Sequence, residues 1–304
     1  MWARELGRQS GVSVATHACE HYYLVTDTIE GLAPDLPVLR AYDDCTYFKQ
    51  DAGKLLFGFA HNKVKPWGME GISEDFCFDS LPFIDDDVMD VLELAMKRVP
   101  ALETAGIRTF FNGPESYSYD GNFTLGEAPE VKNYFVLAGV NSTGIQSGTG
   151  AGRALAQWIM QGYAPMDLND MDPARIQTFQ ARDPYLQARA PETETRTYAM
   201  HWPNYQRDTV RGLRKSPFYH TLKQQGAWFA EQQGWERPAW FAPQGETPVT
   251  DYSFHRPKWF EYAQQEQQAA REAVALLDYS MLGKLWVEGP GAEQFLQRMC
   301  TNNM

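Results

Sequence analysis

Cysteine pairs, long apolar runs and an excess of basic residues are all missing from this sequence. Its four cysteines form no CxxC pair and have no histidine-rich surroundings, so a zinc site and a disulfide framework are both disfavoured and a reducing compartment is expected. No uninterrupted apolar run is long enough to cross a bilayer. Lys and Arg number 27 against 39 Asp and Glu, and this formal net charge of −12 argues against nucleic acid as the main partner. The composition therefore predicts a globular protein with no membrane, nucleic-acid or metal partner.

The first residues indicate a helix rather than a targeting signal. The opening MWARELGRQSGV lacks the apolar centre of a signal peptide, and its pattern is that of an amphipathic helix that ends at Gly7 and Gly11. This helix begins in mid-pattern, and the chain stops at residues 301–304, just after another predicted helix. We therefore expect a fragment that is truncated at both ends.

Strands and helices are predicted from the spacing of apolar residues and from the Pro and Gly residues that bound them. Residues 45–50 and 54–59 are expected to form a hairpin with its turn at Gly53. A helix is predicted over 84–99, ahead of Pro100, with an acidic start at Asp85, Asp86 and Asp87. Further strands are predicted at 21–26, 107–111, 134–140, 274–277 and 284–288, and further helices at 153–161 and 291–299. The polar, proline-punctuated residues 165–217 are expected to form a connector with short helical pieces.

The strongest local signal is the strand, glycine-rich loop and helix over residues 134–161. Gly148 and Gly150 fit the first two positions of GxGxxG, but Arg153 occupies the third, so the loop is a poor pyrophosphate site. A helix N-terminus can instead cradle another electron-rich group, such as a reduced flavin. The alternative is a glycine-rich turn that only allows a helix to pack closely on a strand.

Several motifs along the chain, in the same order, resemble the dimethylglycine and sarcosine dehydrogenase family. They are ACEHYY at 18–23, KPW at 65–67, GPES at 113–116, YFVLAGVNSTGI at 134–145, RKSP at 214–217, GWERP at 234–238 and DYS at 278–280. The resemblance implies an α/β (mixed α+β) chain in three parts. These are the substrate side of a FAD-dependent oxidoreductase domain with a mixed β-sheet (1–165), a central connector domain (166–217) and the first part of a folate-binding aminomethyltransferase-like domain (218–304). The dinucleotide-binding motif for FAD would lie outside this chain.

The resemblance also implies two catalytic candidates, His21 and Tyr47, that face the substrate. Hydride leaves an N-methyl carbon only when the amine lone pair is free, and an imidazole could take up the ammonium proton or hold the substrate carboxylate. The alternatives are a strand histidine with a satisfied hydrogen bond and a half-buried strand tyrosine. The residues expected to lie over the flavin are Gly139, Asn141, Ser142, Gly144, Ile145 and Gly148.

The reaction implied is the oxidative N-demethylation of a small N-methylated amino acid. FAD would take the hydride, and the one-carbon unit would pass to tetrahydrofolate or leave as formaldehyde. The flavin would be reoxidised by oxygen or an electron-transfer protein, in the cytoplasm or, in a eukaryote, the mitochondrial matrix. His61 replaces a glutamate common in the family, either changing the substrate or marking a tolerated surface loop. The rival hypothesis is a non-catalytic homologue, since residues 2–7 and 20–22 also resemble the regulatory subunit of pyruvate dehydrogenase phosphatase.

Overall fold

The computed structural model describes residues 2–60, 64–84 and 88–303 of the chain. The predictions at His61 and at Asp85, Asp86 and Asp87 lie outside these residues. Contacts divide the chain into two compact units, Met1–Val210 and Arg211–Met304. Both units contain helices and strands, and the predicted α/β class is confirmed.

The first unit is built around the long strand β1 (Thr16–Thr26). The other strands of the unit are β2 (Leu39–Ala41), β3 (Thr46–Asp51), β4 (Lys54–Phe59), β5 (Pro66–Trp67), β6 (Ile107–Ser118), β7 (Thr124–Glu127) and β8 (Phe135–Ala138). Its α-helices are α1 (Trp2–Gln9), α2 (Met89–Arg98), α3 (Gly144–Gln161) and α4 (Asp183–Tyr198).

The main sheet runs in the order β2, β3, β4, β1, β6, with β5 beside the first half of β1, and β7 and β8 form a separate pair. Every pairing among the described strands of the main sheet is antiparallel, so the parallel strands that a mixed sheet requires are not among them. The predicted hairpin is confirmed as β3 and β4. Ala52 (φ 48°) and Gly53 (φ 80°) are both left-handed, as a two-residue turn between antiparallel strands requires.

Alternation along the strands separates the two faces of the sheet. Tyr22, Leu24, Phe48 and Phe57 point to one face, where they form the main apolar core with Val91 and other residues of α2. Residues one position away point to the opposite face, which α4 covers. There Cys19 of β1 and Tyr117 of β6 pack against Ala190 of α4. The candidate residues His21 and Tyr47 lie on this second face.

The four α-helices described in the first unit differ from the sequence prediction. α2 begins at Met89 and ends at Arg98, inside the predicted range 84–99, with Ile84 and Val88 outside the helix. α1 continues past Gly7 and ends before Gly11, because Gly7 is buried where its backbone approaches Val12 and Val14. α3 begins at Gly144 rather than at 153, since packing on β7 and β8 outweighs the low helix propensity of its glycine-rich first half. α4 spans 16 residues of the predicted connector and includes Pro191 within the helix.

The second unit contains α5 (Tyr219–Gln224), the hairpin β9 (Ala227–Gln232) and β10 (Trp235–Phe241), α6 (Trp259–Glu272) and α7 (Ala292–Met299). The helix predicted at 291–299 is confirmed. The strands predicted at 274–277 and 284–288 are wrong. A strand needs a hydrogen-bonded partner, and the backbone pairing described in this unit is that of β9 with β10 and an isolated bridge between Arg214 and Trp235, so neither predicted segment has one. Leu276 and Leu285 are almost fully exposed.

Candidate active site

The sheet brings the two catalytic candidates together on one face. His21 on β1 and Tyr47 on β3 are separated by β4, and His21 Nε2 lies 3.4 Å from the Tyr47 hydroxyl oxygen. Gly58 of β4 is directly opposite Tyr47, and a Cβ there would lie 2.0 Å from Tyr47 Cζ. The absence of a side chain at Gly58 therefore lets the Tyr47 ring lie across β4 towards His21.

Helix α4 adds two residues to this pair, Glu194 and Tyr198. They are four positions apart and so lie on the same face of the helix. Glu194 Oε1 is 2.9 Å from His21 Nδ1, and the Tyr198 hydroxyl oxygen is 3.4 Å from His21 Nε2. The Tyr198 ring stacks on the rings of His21 and Tyr47, with centroids 5.2 and 5.5 Å away. One nitrogen of His21 is thus held by a buried carboxylate, and the other faces two phenols.

Ser142 connects this cluster to the segment predicted to bind the flavin. The Tyr198 hydroxyl donates to Ser142 Oγ at 2.9 Å, and Ser142 donates to Glu115 Oε2 at 2.5 Å. Glu115 also accepts a hydrogen bond from Tyr117 at 2.9 Å. Glu115 has no role assigned from the sequence, yet its carboxylate ends a chain of hydrogen bonds that starts beside His21.

The residues predicted to lie over the flavin occupy three different settings. Gly139 follows β8, and the carboxamide of Asn141 is buried against Ser118, which donates its backbone N–H to Asn141 Oδ1 at 2.8 Å. Gly144 and Ile145 form the first turn of α3. Gly148 is a further turn along, inside the helix rather than in a loop.

The start of α3 fits an electron-rich ligand such as a flavin ring. The Thr143 hydroxyl donates to the Val140 carbonyl, and among the described residues no side chain caps the first turn. The first amides of α3 therefore keep their donor capacity, and the helix dipole adds positive potential. Asn141 and Ser142 have φ values of 49° and 64°, a left-handed backbone that is uncommon outside glycine and is frequent at ligand sites. Ile145 is fully exposed beside these amides.

Burial governs the proton affinities of the cluster. It raises the pKa of Glu194 to about 7, although the hydrogen bond and charge of His21 act in the opposite direction. Burial disfavours a charged His21, but the hydrogen bond and charge of Glu194 outweigh it and raise the pKa of His21. Burial also raises the pKa of Tyr47 far above its usual value and that of Tyr198 to about 12. Both phenols therefore remain protonated donors at neutral pH.

Arg40 places a positive charge at the edge of the cluster. Its guanidinium carbon lies 5.1 Å from the centroid of the Tyr198 ring, and one of its nitrogens donates to the Thr197 carbonyl. An open cavity of about 390 Å³ next to it is also lined by Asn141 and Thr143. The guanidinium of Arg40 and the loop ahead of α3 thus line the same cavity, and this combination suits an anionic ligand.

Glu194 and Tyr198 were missed because α4 carries no clear apolar stripe. Pro191 and a run of Glu, Thr and Arg residues are typical of a surface connector. The available signal was the four-residue spacing of Glu194 and Tyr198, a polar face that becomes meaningful only if the helix is buried. In the structure Arg189, Thr193 and Glu194 are all almost completely buried.

Neither a metal centre nor a membrane-spanning helix is present in the described residues. Residues 2–60, 64–84 and 88–303 contain no group of three or more His, Cys, Asp or Glu side chains arranged to hold a metal ion. No helix within the same ranges combines the length and the apolar character needed to cross a membrane.

Three family models match the chain one after another. The model for FAD dependent oxidoreductase covers residues 1–158, the model for the FAD dependent oxidoreductase central domain covers 161–216, and the model for the GCVT N-terminal domain covers 218–304. The first matches more than half of the chain, and the chain belongs to the FAD dependent oxidoreductase family. The division into three domains at 165 and 217 stays a prediction.

Three curated relatives show which members of the FAD dependent oxidoreductase family the chain resembles. The chain is 38% identical over 301 residues to 4-methylaminobutanoate oxidase (formaldehyde-forming) from Paenarthrobacter nicotinovorans, covering 99% of this chain and 36% of the relative. It is 33% identical over 311 residues to the mitochondrial pyruvate dehydrogenase phosphatase regulatory subunit of Mus musculus, covering 100% and 35%. It is 31% identical over 319 residues to mitochondrial sarcosine dehydrogenase of Homo sapiens, covering 97% and 34%.

These matches confirm the resemblance to the dimethylglycine and sarcosine dehydrogenase family. The chain spans about a third of the length of the curated relatives it matches.

Proposed function

We propose that this chain supplies the substrate-side part of a FAD-dependent oxidoreductase that removes a methyl group from a small N-methylated amino acid. The observation that carries the proposal is the hydrogen bond between Tyr198 and Ser142. Through Tyr198 this bond links His21 to Ser142, two residues before α3, and so supports a flavin at the start of α3 with the substrate amine beside His21. The names of two relatives, 4-methylaminobutanoate oxidase and sarcosine dehydrogenase, denote N-methylated amino acids as substrates.

In this proposal His21 Nε2 accepts the proton that the substrate ammonium must lose. Only the neutral amine has a lone pair that can form the iminium as hydride leaves the methyl carbon, and a bound flavin supplies the hydride acceptor. Tyr47 and Tyr198 remain protonated and orient the amine. Water then adds to the iminium carbon, and the resulting carbinolamine breaks down to the demethylated amine and formaldehyde. Alternatively, tetrahydrofolate receives the one-carbon unit.

The substrate carboxylate would be held by Arg40, beside the cavity at the C-terminal end of α4. A guanidinium binds a carboxylate through charge-assisted hydrogen bonds, and Arg40 already lies over the Tyr198 ring.

A direct test follows flavin absorbance in the full-length protein expressed with FAD available. Under anaerobic conditions, 4-(methylamino)butanoate, sarcosine or dimethylglycine is added in turn to wild type, to His21→Ala and to His255→Ala, an exposed histidine of the second unit. We expect one of these substrates to bleach the flavin in wild type and His255→Ala but not in His21→Ala. A flavin that stays oxidised with all three refutes the substrate class.

A second candidate function is regulatory, and the 33% identity to the phosphatase regulatory subunit favours it. A full-length protein that is purified without flavin in spite of added FAD would support it. If the protein does bind flavin, the bleached preparation of the first test distinguishes the electron acceptors: rapid reoxidation by air indicates an oxidase, and slow reoxidation indicates an electron-transfer protein. The compartment is proposed to be the cytoplasm, or the mitochondrial matrix in a eukaryote.

A further inference from the structure

Glu194 is the most deeply buried carboxylate of the candidate site. Its side chain is 1% exposed, and Oε1 is 2.9 Å from His21 Nδ1. Among the described residues, Oε2 has no hydrogen-bond partner. A buried carboxylate with one unsatisfied oxygen costs stability, so its presence here points to a chemical task rather than a structural one.

His21 is the neighbour that favours the ionised form of Glu194 and lowers its pKa. Glu20 and Glu115 lie on the neighbouring strands, and both raise its pKa further. Cys19 and Tyr117 are buried neighbours whose ionisation Glu194 opposes. The buried Arg189 of the same helix pairs with Glu192 and lies 5.4 Å from the Tyr185 ring centroid. The titratable and charged groups on the same side of the sheet as the His21–Glu194 pair are Cys19 on β1, Arg40 on β2, Tyr47 on β3, Glu115 and Tyr117 on β6, and Tyr198 on α4. Glu20 points to the opposite face, where it accepts hydrogen bonds from Tyr22 and Asn112.

We infer that Glu194 is the positioning residue of His21: it holds the proton on Nδ1, so that the Nε2 lone pair points at the Tyr47 and Tyr198 hydroxyls, where the substrate amine releases its proton. The inference about the amine rests on the proposed function. The inference about the His21 tautomer stands on the geometry alone. A carboxylate that accepts from one imidazole nitrogen fixes which nitrogen is the base and strengthens that base.

The first test is the pH dependence of flavin reduction in the full-length FAD-loaded protein. Glu194→Gln keeps an oxygen that can accept from Nδ1 but removes the charge, and Glu194→Asp keeps the charge but shortens the side chain. In Glu194→Gln we expect the acid limb of the second-order reduction rate to move to lower pH by about one unit or more, because a nearby opposite charge raises a histidine pKa by about that much. In Glu194→Asp the limb stays near the wild-type position while the rate falls.

The matched control is Glu93→Gln, the same substitution at an exposed position of α2. It should leave both the limb and the rate unchanged. A Glu194→Gln profile that coincides with that of wild type overturns the inference. In that case the flavin is still bleached, so the proposed function survives.

The second test does not require turnover. In full-length protein labelled with [¹⁵N]histidine, the His21 ring signals are assigned by their loss in His21→Asn. We expect a protonated Nδ1 and an unprotonated Nε2 in wild type above the His21 pKa, and a lower His21 pKa in Glu194→Gln. An Nε2–H tautomer in wild type overturns the inference whether or not any amine bleaches the flavin. Absence of bleaching with the expected tautomer refutes only the proposed function.

Discussion

Replacing Glu194 by Gln should change how the stability of the protein depends on pH. The glutamine has almost the same shape as a protonated glutamic acid, so the two proteins differ mainly when Glu194 must ionise. Burial raises the pKa of Glu194 to about 7 in the folded chain, whereas the unfolded value is 4.5. A raised folded pKa gives stability that is complete below the unfolded pKa and is lost as the pH rises through the folded pKa.

The size of the effect follows from that shift. Between pH 5 and pH 8 the ionisation of Glu194 removes about 2 to 3 kcal/mol from the free energy of unfolding of wild type, and the glutamine variant does not lose it. His21 acts in the same direction, since Glu194 raises its pKa in wild type and that cause is absent from the variant. Relative to wild type, Glu194→Gln should therefore become more stable by about 2 to 3 kcal/mol as the pH rises.

Urea unfolding of wild type and Glu194→Gln at pH 5 and at pH 8 measures this difference in the free energy of unfolding. Glu93→Gln is the control and should follow wild type at both pH values. Parallel shifts at the two pH values would refute the reasoning. So would a variant whose stability relative to wild type falls between pH 5 and pH 8, because the ionisation of Glu194 would then stabilise the folded protein.

Three further predictions concern the neighbours of His21 in the FAD-loaded full-length protein. Gly58→Ala adds a carbon that would lie 2.0 Å from Tyr47 Cζ, so the ring must move; we expect slower flavin reduction at unchanged FAD content, and an unchanged rate contradicts the packing argument. Arg40→Met should raise the KM for an N-methylated amino acid by roughly 10- to 100-fold, the loss of one charge-assisted hydrogen bond, with little change for the corresponding amide. Ser142→Ala removes the acceptor of the Tyr198 hydroxyl, which can then turn to the imidazole; stopped-flow measurement should show reduction slowed by about tenfold, and a normal rate would exclude this competition.

Local patterns predicted the parts of the fold that depend on neighbours in sequence. Alternation and the turn at Gly53 were sufficient for the hairpin, and the resemblance to the family was sufficient to select His21 and Tyr47, whose roles stay predictions. The extent of α3 could not be predicted, because its glycine-rich first half is helical only through its packing on β7 and β8. Glu194 could not be selected either, since its function depends on a contact with a residue 173 positions away.

That separation has a consequence for how the protein acquires its chemistry. Closing a loop of 173 residues costs conformational entropy that must be recovered by packing, and contacts of this range form slowly. Until α4 docks on the sheet, His21 has no carboxylate at Nδ1 and no phenol from Tyr198 at Nε2. The proton affinity of His21 therefore depends on the completion of folding, and any event that detaches α4 removes both contacts from His21 without changing the sheet that carries His21 and Tyr47.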